Sequence, residues 1–120
     1  MIDRTKLEAL LGNDEHMVQR FLEIFKTQTS TQLKLLRSSI GTHNWEQTSI
    51  TAHAIKIQCR YLGLENIAEY ADQIEQFAEQ EKQLDLLPGL AIQLESQLSS
   101  IIGKNLASFH HHSITFSVYV

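Results

Sequence analysis

The sequence predicts an all-α fold, an antiparallel four-helix bundle with a short extra N-terminal helix. Three observations predict it. Apolar residues recur at spacings of three and four through four long segments, the period of a helix with one buried face. Short polar or glycine-containing links separate the segments, so consecutive helices reverse and pack on each other. With 120 residues, 42% of them hydrophobic, the chain is one domain with one core.

The elements follow in order. Asp3 or Thr5 caps a short first helix carrying Leu7, Leu10 and Leu11 to Gly12. Asn13 is the expected cap of the second, with Asp14 and Glu15 in a first turn that favours acids. Val18, Leu22, Phe25, Thr29, Leu33, Leu36 and Ile40 form its stripe, ending near Gly41. Met17, Phe21 and Ile24 widen that stripe in the first half. After the tight link Thr42–His43, Asn44 caps a third helix, Trp45 to Leu62, which Gly63 stops in a left-handed turn. The fourth helix runs from Glu65 to about Gln80, with Leu64, Ile67, Ala71, Ile74 and Ala78 on one face. Asp85 is the expected cap of a fifth, with Pro88 harmless in its first turn. Its stripe is Leu87, Leu90, Ala91, Leu94, Leu98 and Ile101, and Gly103 is expected to close it. The bundle therefore spans residues 1–106. Residues 107–120 depart from it: three histidines, His110 to His112, precede a period-two run typical of a strand. This tail is disordered, strand-like or foreign to the natural chain.

The net charge of −4 argues against nucleic acid and a polybasic membrane surface. No apolar run approaches the ~18 residues of a membrane span. The start, MIDRTKLEAL, lacks a signal-peptide core, and the expected location is cytoplasmic. The single cysteine, Cys59, excludes an internal disulfide and is expected to be a buried free thiol. His16 and His43 lack ligand partners one turn on, and the helices offer no convergent metal-ligand set for a hydrolase.

Chemistry gathers in Thr51–Leu64, TAHAIKIQCRYLGL. His53 lies on the charged side of this helix. Glu46, Ser49, Lys56 and Arg60 fall within about 60° of it, with Ile55 and Leu62 on the opposite, inward side. A neutral imidazole is nucleophilic near neutral pH. Lys56 and Arg60 are expected to disfavour the imidazolium and to stabilise an anion formed on the ring. Periodicity alone also accommodates a surface histidine in a salt-bridged helix.

The motif AHAIKIQCRYLG, with Ala52, His53, Lys56, Leu62 and Gly63 in register, resembles the histidine-containing phosphotransfer (HPt) domain. FLEIFKTQTSTQLKLLRSSI looks like that family's long second helix. IAEYADQIE looks like the helix after the histidine, with Glu75 at a commonly acidic position. The resemblance covers roughly Leu7–Ile102. It implies a phosphoryl carrier, not an enzyme, with His53 as phosphoacceptor and Lys56 as the neighbouring cation. It implies response-regulator receiver domains and a sensor (hybrid) histidine kinase as partners. It implies no cofactor on this chain, with magnesium on the receiver instead. The expected state is a monomer. Two departures stand out. Ile57 replaces the glycine that usually follows the lysine, and Gln58, Cys59 and Arg60 replace small residues; Arg60's role rests on the helical wheel alone. Ile50, Ala54, Ile57 and Tyr61 lie 40° to 100° round one flank of His53, roughly by the 3.6-residue period. With Ser49 on the other flank, they form the expected partner surface, although Ile50 and Tyr61 fit packing on a neighbouring helix equally well. Trp45 is expected to pack at the helix end. Ile57 also supports an alternative, an HPt-like binding module that sequesters or inhibits a receiver or kinase without transfer.

Overall fold

The computed structural model describes the backbone of residues 2–107 and the side chains of residues 2–103. Five α-helices follow one another: α1 (Arg4–Leu11), α2 (Glu15–Gly41), α3 (Trp45–Tyr61), α4 (Glu65–Gln80) and α5 (Leu87–Ala107). A 3-10 turn at Leu84–Leu86 precedes α5. No strand occurs among the described residues; Ala107, expected in the tail, is the last residue of α5, and the rest of the 107–120 tail lies outside the described residues.

Local chemistry sets most boundaries. The Asp3 carboxylate accepts from the Lys6 amide to start α1, and Gly12, at φ 75°, ends it. The cap of α2 is Asp14, not Asn13. At φ 60°, Asn13 continues the left-handed reversal begun at Gly12, so the extended backbone that a cap needs falls on Asp14. Its carboxylate accepts from the His16 and Met17 amides. Asn44 caps α3 by accepting from the Gln47 amide. Asp85 does not cap α5. It sits inside the 3-10 turn, which tightens the chain so that Leu87 enters the core as the first residue of α5. Pro88 is the second residue of that helix. Nor does Gly103 end it. Its φ is not positive, and buried Ile101 and Ile102 hold the helix on through it.

Helices α2, α3, α4 and α5 form a ring in which each packs on the next and α5 closes on α2. Short links between packed neighbours make each antiparallel to the one before. The buried stripes are those expected: Val18 to Ile40 on α2, Ile55 and Leu62 by α3, Ile67 to Ala78 on α4, Leu87 to Ile101 on α5. The hydroxyls of Ser39 and Thr48, 2.8 Å apart and buried, fix the register of α2 on α3. Met17 and Ile24 do not join the core and are exposed, because no element among the described residues covers that face of α2.

Helix α1 packs on α2 and is pinned to the far end of α3. The Asp3 amide donates to the Leu62 carbonyl (2.8 Å), and Lys6 Nζ donates to the Arg60 carbonyl (2.7 Å). Gly63 permits this. Its φ is 75°, and a Cβ there would stand 2.6 Å from Asp3 Cβ.

Candidate functional site

Small side chains bring α3 and α4 together. Ala52, Cys59, Ala68 and Ala71 are all fully buried, so little bulk separates the two backbones. Asp72 and Glu75, one turn apart on α4, thereby face α3. His53 Nδ1 lies 2.9 Å from Glu75 Oε2. Lys56 Nζ lies 2.7 Å from Glu75 Oε1 and 3.1 Å from Asp72 Oδ1. Four side chains thus form one line of contacts, Asp72–Lys56–Glu75–His53. Its inner members are largely covered, with side-chain exposures of 11% for Lys56 and 13% for Glu75. The His53 side chain is 55% exposed.

The arrangement dictates a tautomer. An ionised carboxylate only accepts hydrogen bonds, so the neutral ring must carry its proton on Nδ1 when it bonds Glu75. The lone pair is then on Nε2, the nitrogen free of the α4 contact. That is the state a nucleophilic imidazole needs.

This geometry corrects the expected electrostatics. Lys56 is no free cation beside the ring. Its contact with Glu75 raises its pKa above the ordinary lysine value; burial opposes that shift, and Asp72 adds to it. Its charge is matched by two carboxylates. Arg60 leans toward α4 as well, 3.6 Å from Glu65 and 3.9 Å from Glu69. The charged group touching His53 is Glu75, not a cation. Neither Asp72 nor the contact of Glu75 with the ring was foreseen from the sequence. The available signal was a pair of acids one turn apart on α4 with no partner on their own helix.

The apolar flank is open. Ile50, Ile57 (38% exposed) and Tyr61 project outward, so Ile50 and Tyr61 do not pack on a neighbouring helix. Ala54 and Ser49 are half-buried. His53 stands between this flank and the α4 carboxylates. Trp45 packs at the helix end, its ring stacked on His43 with centroids 5.1 Å apart. Cys59 is a buried free thiol, pushed up to about 12 by burial and, secondarily, by the charge of Glu65. No group of three potential metal ligands occurs among the described residues, and His110 to His112 lie outside them. No helix among these residues is long and apolar enough to cross a membrane.

The fold defines a class, the antiparallel helical-bundle domain, here with an exposed imidazole set against a carboxylate of the neighbouring helix. The Hpt domain family profile matches residues 20–103, and the chain belongs to that family. Neither the curated proteins nor the solved structures compared with it gave a match. Hpt domains are phosphoryl carriers in phosphorelays rather than catalytic enzymes, and they generally partner receiver and kinase domains. A phosphorelay role for the chain follows at that level.

Proposed function

We propose that His53 is the phosphoacceptor of this carrier and relays a phosphoryl group between receiver-domain aspartates, in the cytoplasm. The observation that carries this reading is the 2.9 Å contact of Nδ1 with Glu75 on a ring otherwise open to solvent. The Nε2 lone pair attacks phosphorus of the aspartyl phosphate. The P–N bond forms as the P–O bond to the aspartate breaks, and the carboxylate departs with the electron pair. No proton leaves the ring, so the imidazole takes on positive charge. Glu75 offsets that charge by accepting the hydrogen bond of the Nδ1 proton, which stays on the ring. Lys56 and Asp72 hold Glu75 in place, making them positioning residues. Onward transfer reverses the step with a second aspartate. Magnesium chemistry belongs to the receiver.

The test is incubation of the chain with acetyl phosphate or with a phosphorylated receiver. Acid-labile label on the wild type, absent in His53→Gln, is expected; equal label in both would end this assignment. A second reading keeps the fold as a non-transferring binding module that sequesters or inhibits a receiver or kinase. Its support is Ile57, branched, exposed and one turn from His53. If Ile57 blocks approach, Ile57→Gly speeds phosphorylation severalfold. A wild-type chain that binds a phosphorylated receiver and never takes label favours this second reading.

A further inference from the structure

Helix α2 carries a second apolar stripe, apart from the one it buries in the bundle. By the helical period, Phe21, Ile24, Gln28, Thr31 and Leu35 all lie within about 40° of Met17. They recur at alternating spacings of four and three, which makes one continuous row along the helix. No ionisable residue of α2 falls in that sector. Met17 is 48% exposed, Ile24 46% and Leu35 43%, and Phe21 is half-buried. A single exposed apolar residue needs no explanation, but a charge-free row of them over about 27 Å does.

The chain leaves the bundle beside this stripe. Helices α2 and α5 run antiparallel, with Arg37 3.6 Å from Glu95 and Ser30 sharing a crevice with Ile102. Ala107 lies as far past Glu95 as Phe25 lies before Arg37, so α5 ends level with Phe25 and its neighbour Ile24. Leu86 and Ile92, also exposed, stand at the opposite end of α5. Residues 108–120 follow, with no Asp, Glu, Lys or Arg among them and with Ile114, Phe116, Val118 and Val120 at alternate positions. Their length fits. From Ala107 to Ile114 the chain reaches up to about 23 Å, roughly twice the diameter of a helix, which is enough to pass round α2. Ile114 to Val120 then spans up to about 20 Å, against about 10 Å from Met17 to Ile24. Composition agrees as well: an uncharged segment meets an uncharged sector, so no ionised group loses its water.

We propose that the C-terminal segment of this chain seats on α2, with Ile114, Phe116 and Val118 covering Met17, Phe21 and Ile24. The tether holds the segment at a local concentration on the order of millimolar, so a contact too weak to form between separate molecules is populated within one. The proposal is independent of the role of His53.

The experiment uses the full chain carrying a nitroxide on Ser117→Cys; Cys59 is buried and stays unlabelled. Methyl signals are compared by NMR with the nitroxide oxidised and reduced. Met17 and Ile24 should lose intensity severalfold, while Ile92, about 22 Å back along α5 from Ala107, keeps most of its own. Ile24→Asp, at an exposed position that leaves the core intact, should restore the Met17 signal, and so should Phe116→Asp. Equal losses at Met17, Ile24 and Ile92, or no loss at Met17 and Ile24, overturn the seating. So does a Met17 signal that neither substitution restores. A mixture of isotope-labelled chain without nitroxide and nitroxide-bearing chain without isotope reads contacts between copies. Losses of the same size in that mixture overturn the proposal in favour of a segment supplied by a second copy.

Discussion

Glu75 places one carboxylate oxygen on His53 and the other on Lys56. Removing it affects both partners differently. In Glu75→Ala the ring loses its only carboxylate contact among the described residues and with it the preference for the Nδ1–H tautomer. Lys56 keeps Asp72 and so retains half its pairing. The expected outcome is a drop of about tenfold in labelling by acetyl phosphate, the scale on which partners that orient a histidine act. Nitrogen NMR should show the His53 proton moving from Nδ1 toward Nε2. A loss of rate with the tautomer unchanged would assign Glu75 a structural role only. This part of the site was poorly legible in the sequence. His53 and Lys56 sit three positions apart on one helix, where the period alone relates them. Glu75 lies 22 residues from His53, and only the packing of α4 on α3 sets that distance. Hence the sequence suggested cations around the ring, whereas the folded chain puts a carboxylate there.

At the scale of elements, the helices were legible because each is written in a local period that packing then reinforces. Their ends were less so. A cap depends on which residue has extended backbone, and that depends on the turn before it. The α1–α2 link shows this, with Asn13 drawn into the left-handed turn and Asp14 left to cap. Asp14→Ala should therefore cost about 1 kcal/mol of stability in urea unfolding, the ordinary worth of such a cap. Asn13→Gly should cost nothing or stabilise slightly, since glycine accepts the left-handed backbone at least as well. The reverse pattern would restore Asn13 as the cap. Gly103 makes the same point from the other end of the chain. A glycine stops a helix when the turn after it is left-handed, and buried Ile101 and Ile102 keep α5 helical there instead.

For the whole molecule, the seam between α3 and α4 does two things at once. It brings Glu75 to His53, and it seals Cys59 from water. The second is measurable as alkaline stability. The Cys59 thiol rises from an ordinary 9.0 to about 12 in the fold, through burial first and the Glu65 charge second. A group whose folded pKa is raised contributes stability that is complete below its unfolded value and lost as pH climbs through the folded one. Between pH 9 and 12 the unfolded chain releases this proton while the folded chain keeps it. Stability should therefore fall there by up to about 1.4 kcal/mol per pH unit from this thiol. Lys56, also raised, adds its own loss above its ordinary 10.5. Cys59→Ala removes only the first slope. It forfeits some packing at every pH, so slopes, not levels, carry the comparison. Urea midpoints measured from pH 8 to about 10.5 should decline in the wild type and stay flatter in Cys59→Ala. Parallel curves would mean that water reaches the thiol in the folded state. A seam loose enough for that would not hold α4 close enough to set the tautomer of His53, so the same result would count against the geometry on which phosphoryl transfer is proposed to depend.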